Sequence, residues 1–210
     1  MIVAIDGPAG AGKSTVARRL AQRLGFRYLD TGAMYRAVTW LAGQRGIATD
    51  DGPALAELAR GNPVELEPSG TVMIAGEDVT GAIRSAEIDR AVPIVAREPA
   101  VREVMRLRQR ELAEAGDAVI EGRDIGTVVV QDAEVKVYLV ADSAVRAGRR
   151  LAERPEIGAD ALVTDLRLRD ASDAERTLRA EDAHVIDTTE LQIDDVVARI
   201  EQLVRDRLPA

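Results

Sequence analysis

The residues with the clearest chemistry form the segment Gly-Pro-Ala-Gly-Ala-Gly-Lys-Ser-Thr near the start of the chain. Its glycines, lysine and serine have the spacing of a phosphate-binding loop, in which backbone N–H groups surround phosphate oxygens. In such a loop Lys13 reaches the β- and γ-phosphates of a nucleoside triphosphate, and the Ser14 hydroxyl ligates Mg²⁺. The predicted triphosphate site comprises Gly7, Pro8, Ala9, Gly10, Ala11, Gly12, Lys13, Ser14 and Thr15.

The segments on either side of this loop support the motif. Residues 2–6 form a short apolar strand, and Val16, Ala17, Leu20 and Leu24 then recur at helical spacing. A strand, a glycine loop and a helix in this order are the context that a phosphate-binding loop requires. A glycine-rich turn that only packs closely is the weaker interpretation, because the lysine and serine are also in place.

The rest of the chain alternates between strand and helix patterns. Further strands are predicted in 26–30, 117–122, 135–140 and 183–187, and helices in 32–45, 98–115, 143–153 and 192–207. This alternation predicts an α/β fold with a parallel sheet covered on both sides. Two stretches depart from this alternation of strands and helices. Residues 62–79 predict a small antiparallel meander around a Pro-Ser-Gly turn, and the highly charged residues 149–182 are typical of a solvated helical pair.

The composition argues against nucleic-acid polymers and against thiol chemistry. The net charge is −8, whereas proteins that bind nucleic acids present a basic field. One tryptophan, three tyrosines and one phenylalanine are too few for a base-stacking platform. The chain has no cysteine, which excludes disulfides and thiolate metal sites, and a single histidine.

The N-terminal segment and the apolar runs argue against a membrane protein. The start of the chain has no basic region or cleavage site, and no apolar run reaches the roughly 18 residues that a membrane helix needs. We therefore expect a soluble, cytoplasmic protein.

A triphosphate site alone does not define a function, since switches, motors and small-molecule kinases all use this loop. The only asparagine is Asn62, so the Asn-Lys-x-Asp guanine motif of GTPase switches is missing from the sequence. A chain of 210 residues also has no room for the additional parts of a motor. A small-molecule kinase is the leading class.

A second informative block follows the strand predicted at 117–122. It presents Glu121, Gly122, Arg123 and Asp124 at the carboxyl end of that strand, where open α/β sheets bind their ligands. An Arg-Asp dipeptide taken alone is more often a surface ion pair. The surrounding sequence makes a ligand site the better interpretation.

Six blocks together resemble the bacterial cytidylate kinase family. They are IDGPAGAGKSTVA, YLDTGAMYRAV, GEDVTGAIR, PAVREVMRLRQR, EGRDIGTVV and VIDTT. The resemblance implies a P-loop, three-layer α/β/α fold with a five-stranded parallel sheet, whose core comprises 1–60, 93–149 and 183–210. It also implies a small antiparallel NMP-binding insertion at 61–92 and a helical lid at 150–182. The implied reaction is direct phosphorylation of CMP or dCMP by ATP, with Mg²⁺.

The resemblance assigns residues to the acceptor nucleotide. Thr31, Arg36 and Arg123 would bind the phosphate of CMP, and Arg102 and Asp124 would contact the cytosine edge. A guanidinium group suits this task because it binds phosphate oxygens in a bidentate manner.

The resemblance also assigns lid residues. Arg169, Asp173 and Arg176 would contact CMP, with the aspartate near a ribose hydroxyl and the arginines near the transferring phosphate. The expected contacts to ATP at the entrance of the lid are Arg146, Arg149 and Arg150.

The expected catalytic cations are Lys13, Arg123 and Arg176. The metal ligands would be Ser14 and, through water, Glu121, although Glu121 is equally suited to a structural ion pair. We expect the protein to act as a monomer on free nucleotides.

The sequence leaves two alternatives open. One is another small P-loop kinase that acts on UMP, AMP or a metabolite hydroxyl group such as that of shikimate. The other is a nucleotide-binding regulator with little turnover. Pro93 keeps this second alternative open, because it stands where the family usually has a serine that contacts the nucleoside.

Overall fold

The computed structural model describes residues 1–153, 158–173 and 177–208. Of the predicted site residues, Arg176 lies outside these ranges, and only the backbone of Arg169 is described. The chain divides into two compact units. The first combines Met1–Tyr28 with Gly116–Ala210, and the second is Leu29–Ala115.

Strands and helices alternate along most of the chain. In order they are β1 (Ile2–Asp6), α1 (Lys13–Leu24), β2 (Arg27–Asp30), α2 (Thr31–Gln44), α3 (Gly52–Gly61), β3 (Glu65–Leu66), β4 (Val72–Ile74), β5 (Glu77–Asp78), α4 (Ala86–Val95), α5 (Pro99–Glu114), β6 (Ala118–Glu121), β7 (Val135–Val140), α6 (Ser143–Glu153), α7 (Ala159–Asp173), β8 (His184–Asp187) and α8 (Ile193–Arg205). A 3₁₀ turn at Ala82–Arg84 precedes α4, and a π-helical turn at Ile125–Val129 follows β6.

The large sheet has the strand order β2-β6-β1-β7-β8. Strand β1 pairs in parallel with β6 and β7, and β7 pairs in parallel with β8. The predicted five-stranded parallel sheet is confirmed, and each strand lies within the stretch predicted for it. Because parallel strands end at one edge of a sheet, the glycine loop after β1 and the segment after β6 begin at the same edge.

The core of the first unit lies between the sheet and two helices. The inward side chains of β1, β6 and β7 are Val, Ile and Leu, and helices α1 and α8 cover them. Leu20 of α1 and Val197 and Ile200 of α8 are completely buried there. This burial fixes the position of helix α1, whose first turn follows the glycine loop directly.

The second unit contains helices α2 to α5 and the predicted meander. Strands β3, β4 and β5 form an antiparallel sheet, which confirms that prediction. Ala75 and Gly76 both have positive φ, as a two-residue turn between twisted strands requires. Buried side chains such as Met34 and Met105 form the unit's own core.

Helices α3 and α4 have no counterpart in the sequence-based prediction. Helix α3 is short and begins with Gly-Pro, and α4 contains Pro93 in its interior. Proline inside a helix removes a backbone hydrogen bond, so Pro93 argues against α4 when the sequence is read locally, whereas Pro53 lies in the first turn of α3, a position that helices tolerate. Side-chain caps favour the helices instead, because Asp51 accepts from Ala54 N at 3.1 Å and Ser85 accepts from Ile88 N at 3.3 Å.

Within the part of the chain that the structure describes, every helix is too short or too polar to cross a membrane.

The buried face of α1 gives a test of this packing. Leu20→Ala should lower the free energy of unfolding by about 2–5 kcal/mol, because it removes buried methyl groups and leaves a cavity. Urea denaturation followed by circular dichroism measures the change. Leu168 of α7 is 66% exposed, so Leu168→Ala is the matched control and should shift stability by about 0.5 kcal/mol or less. Equal losses in the two variants would contradict the described core.

Candidate active site

Glycines shape the loop between β1 and α1. Gly7, Gly10 and Gly12 have φ values of 145°, 76° and 90°, a region that side chains disfavour. A Cβ atom on Gly7 would lie 2.2 Å from the carbonyl oxygen of Leu139, at the end of β7. A Cβ atom on Gly10 would lie 3.0 Å from Arg146 of α6. The loop therefore lies directly against β7 and α6.

Side-chain donors hold the carbonyl groups of this loop. The pairs are Arg123 Nη1 with Gly7 O at 3.0 Å, Lys13 Nζ with Pro8 O at 2.8 Å, Arg146 Nη1 with Ala9 O at 3.0 Å, and Thr188 Oγ1 with Ala11 O at 3.2 Å. Three of these four donors are cationic. The contacts that fix the backbone therefore also concentrate positive charge around the loop, as a phosphate site requires.

Lys13 is the most buried of these cations, with 7% of its surface exposed. Burial, followed by the nearby Arg123 cation, lowers the pKa of Lys13 to about 7. The carboxylates of Glu121, Asp6 and Asp173 act in the opposite direction. Without a phosphate the ammonium group is poorly solvated, so an anion placed beside it would favour its charged form.

Asp6 ends β1 immediately before the loop and is 4% exposed. Its two carboxylate oxygens accept from the backbone N–H groups of Ile125 at 2.9 Å and Gly126 at 2.8 Å. Burial raises the pKa of Asp6 to about 6, with Asp124 adding to the rise and the two backbone hydrogen bonds opposing it. Asp6 thus ties the end of β1 to the segment that carries Arg123 and Asp124.

Glu121 and Ser14 are the predicted ligands of Mg²⁺. Glu121 is 4% exposed at the end of β6 and accepts from the hydroxyl of Tyr28 at 2.7 Å. Ser14 is exposed in the first turn of α1. A hydroxyl and a carboxylate are hard oxygen donors of the kind that Mg²⁺ prefers, so the chemistry of these two side chains fits the metal.

Helix α7 presents two carboxylates to arginines that also hold the loop. Asp173 Oδ2 lies 2.9 Å from Arg123 Nε, and Asp170 accepts two hydrogen bonds from Arg146, at 3.1 and 2.7 Å. The two aspartates are three residues apart and therefore share one face of the helix. In this structure, helix α7 of the predicted lid therefore forms ion pairs with two guanidinium groups that would also suit phosphate.

Arg149 and Arg150 follow Arg146 on α6. The guanidinium of Arg149 donates to the hydroxyl of Thr188 at 2.9 Å and to its carbonyl at 2.6 Å. Thr188 is buried and also contacts the glycine loop, so it connects Arg149 to Ala11. Arg150 is half-buried.

The predicted acceptor residues of the second unit lie on α2 and α5. Thr31 is buried at the first residue of α2, where the Asp30 side chain caps the helix by accepting from Ala33 N at 2.8 Å. Arg36, five residues further along α2, pairs with Asp89 of α4 at 3.4 Å. Arg102 Nη1 lies 3.5 Å from the carbonyl oxygen of Ala96.

Three residues of the first unit's site were missed by the sequence analysis. Thr188 contacts the loop residue Ala11 and Asp170 contacts Arg146, both from distant parts of the chain, while Asp6, next to the loop, contacts Ile125 and Gly126. Asp6 gave one usable signal, a carboxylate that ends an apolar strand just before the glycine loop. Thr188 lies in the block VIDTT, which contributed to the family resemblance without indicating a role for this residue, and nothing local distinguishes Asp170 from other polar residues.

Comparison with known proteins agrees with this geometry. The family model described as cytidylate kinase matches residues 3–206. The cytidylate kinase of Geobacillus sp. (strain WCH70) is 48% identical over 217 residues, which cover 98% of this chain and 97% of that protein. The chain belongs to the cytidylate kinase family. The predicted family, and with it the class of enzyme, a phosphotransferase of the (d)CMP kinase type, are confirmed.

Two further matches are a longer, bifunctional relative and a solved structure with the same fold. The bifunctional pantoate ligase/cytidylate kinase of Trichormus variabilis is 46% identical over 222 residues, which cover 99% of this chain and 42% of that protein. Shikimate kinase from Bacteroides thetaiotaomicron is a solved structure with a TM-score of 0.54 at 18% identity, and the match covers 98% of both chains. This structural likeness shows the fold alone, and it confirms the predicted P-loop kinase fold.

The contact between Gly7 and Leu139 gives a direct test of the loop. Gly7→Ala should lower the free energy of unfolding by more than about 1 kcal/mol, because the new methyl group meets a backbone carbonyl at an unfavourable φ. It should also abolish binding of a fluorescent ATP analogue, titrated in the same preparation.

Gly148, in the interior of α6 with open space around it, provides the control. Gly148→Ala should be neutral or stabilising by about 0.5–1 kcal/mol, since alanine is the better helix former. Normal nucleotide binding by Gly7→Ala would contradict the described loop.

Proposed function

We propose that the protein transfers the γ-phosphoryl group of ATP to the phosphate of CMP or dCMP, giving ADP and the pyrimidine nucleoside diphosphate. The family match over residues 3–206 is the observation that carries this proposal. The phosphate-binding loop agrees with it, because Lys13 and three further side chains hold that loop in one conformation.

Phosphoryl transfer needs in-line positioning and positive charge around the equatorial oxygens, and little covalent chemistry from the protein. Lys13 and Arg123 supply such charge at the loop, and Arg176 is proposed as a third cation. The phosphate oxygens of CMP are already nucleophilic, so a general base is unnecessary. Mg²⁺, when bound with ATP, neutralises phosphate charge, and Ser14 and Glu121 are the residues proposed to hold it.

The ion pairs of α7 suggest how the site changes when nucleotide binds. Arg123 cannot direct its Nε to Asp173 and also bind a phosphate with its full fork. We propose that a substrate phosphate replaces the Asp173 carboxylate at Arg123. Asp173 then becomes available to accept a hydrogen bond from a ribose hydroxyl, the role that the family resemblance implies for it.

The remaining site residues are proposed contacts of the two nucleotides. On the acceptor side they are Thr31, Arg36, Arg102, Asp124 and Arg169. On the ATP side they are the loop residues 7–15 with Arg146, Arg149 and Arg150. We also propose that the protein acts in the cytoplasm as a monomer on free nucleotides.

Asp124 and Arg102 suit cytosine better than uracil. Cytosine presents an amino donor at position 4 and an acceptor at N3, which match a carboxylate and a guanidinium group respectively. Uracil reverses both, so it would leave buried polar groups without hydrogen bonds. Discrimination of this kind reaches about 10⁴ in favourable cases.

An acceptor panel with coupled detection of ADP tests the function. Wild-type protein should release ADP with CMP and dCMP at a kcat/KM at least about tenfold above that for UMP, and Asp124→Asn should narrow this ratio. Asp132 is exposed, and Asp132→Asn should leave the ratio unchanged. Equal kcat/KM for CMP and UMP would refute the base assignment. ATP binding without acceptor-dependent ADP release would favour a regulator, and turnover with AMP or a hydroxyl acceptor would favour another small kinase.

The lowered pKa of Lys13 predicts proton uptake when ATP binds. At pH 8 a lysine with a pKa of about 7 is mostly neutral in the free protein, and the triphosphate favours its charged form. Binding should therefore take up close to one proton at pH 8. Isothermal titration calorimetry in two buffers of different ionisation enthalpy measures this. Lys13→Arg keeps a permanent charge and should show no uptake, and identical heats for wild type in both buffers would contradict the assignment.

A further inference from the structure

Ile5, Asp6 and Gly7, at the junction of β1 and the glycine loop, accept hydrogen bonds from the short segment that follows β6. The N–H of Gly122 donates to the carbonyl of Ile5 at 3.0 Å. Arg123 Nη1 donates to the carbonyl of Gly7 at 3.0 Å. Asp6 lies between Ile5 and Gly7 in the chain, and its carboxylate accepts from the N–H groups of Ile125 and Gly126. The segment 122–126 carries Arg123 and Asp124, which the proposed function assigns to the acceptor nucleotide.

The contact to Asp6 requires a carboxylate. The two N–H groups belong to the first residues of the π-helical turn, where backbone donors have no partner within the helix. Two adjacent donors need two acceptor oxygens, and both bonds, at 2.9 and 2.8 Å, are short. Asparagine has the same size but would direct an NH₂ group at one of the donors.

The space around this contact is also restricted. A Cβ atom on Gly126 would lie 3.2 Å from Lys136 Cδ and 3.5 Å from Asp6 Oδ2. Ile125 is 1% exposed, and Asp6 is 4% exposed. The turn therefore has little freedom to move away from Asp6, and the carboxylate determines where its first residues lie.

We propose that Asp6 is a positioning residue for the acceptor side of the reaction. By fixing the backbone of Ile125 and Gly126, it orients Arg123 and Asp124 directly before them. This inference rests on the proposed function, since it assigns Asp6 a part in the recognition of CMP. Asp6 itself contacts neither nucleotide and acts through the segment 122–126.

Steady-state kinetics of Asp6→Asn test the proposal. The variant should lower kcat/KM for CMP by at least about tenfold and bring the CMP to UMP ratio to within about threefold of the Asp124→Asn value. The affinity for ATP without acceptor should fall by less than the kcat/KM for CMP, because Lys13, Arg146 and Thr188 still hold the glycine loop. A structural defect alone would lower activity with CMP and UMP equally and leave their ratio unchanged.

A double variant measures the coupling between Asp6 and Asp124, and it tests the proposal more sharply than the single variant. If Asp6 acts through Asp124, the double variant Asp6→Asn with Asp124→Asn should show the same CMP to UMP ratio as Asp124→Asn alone. Independent, multiplying effects on the ratio would overturn the proposal. Glu134→Gln is the matched control, because Glu134 accepts from the N–H of Ile2 at 2.7 Å, at the opposite end of β1, and should leave the kinetics unchanged.

Two further arms keep the test decisive. Should Asp6→Asn fail to fold, Asp6→Ser, with one acceptor oxygen, is measured in its place. Hydrogen exchange in the wild type should show slow exchange of the Ile125 and Gly126 amides, and exchange at the rate of an unstructured peptide would overturn the proposal.

If wild type does not phosphorylate CMP, the proposed function fails. If wild type is active but the ratio is unchanged in a folded Asp6 variant, only the role of Asp6 fails.

Discussion

The backbone carbonyls of the glycine loop accept hydrogen bonds from side chains, and the phosphate site depends on these bonds. Positive φ at three glycines turns the chain sharply, and the carbonyls of Gly7, Pro8, Ala9 and Ala11 lie outside the regular hydrogen bonds of the helix and the sheet. Lys13, Arg123, Arg146 and Thr188 serve as the donors instead. Because three of them are cations, the same bonds that give the loop its conformation also supply the charge that attracts a triphosphate.

Cations gathered in this way must be neutralised when no phosphate is bound, and carboxylates of the first unit do so. Asp170 and Asp173 pair with Arg146 and Arg123, while Glu121 and Asp6 lie near Lys13. The balance is incomplete at Lys13, where burial and Arg123 lower its pKa to about 7. A phosphate would therefore relieve an existing electrostatic cost as well as form new contacts.

The sequence predicted the sheet and the loop well because both have local signals. Strands β1, β6 and β7 are short apolar runs, and the loop has a fixed spacing of glycine, lysine and serine. Helix α4 was missed because Pro93 argues against a helix locally, whereas the Ser85 cap and burial of Ile88 and Val95 favour it. The partners of the arginines could not be predicted either. Arg123 and Asp173 are 50 residues apart in the chain, and only the fold brings them together.

The discontinuous first unit affects how the protein is made. Strand β1 and the glycine loop are synthesised before the second unit, yet both strands that flank β1 come more than a hundred residues later. The whole second unit, with a core of its own, is synthesised in between. The apolar strand β1 therefore has no partner strand until β6 has been synthesised, so a chain that terminates before β6 exposes β1 with no sheet to join.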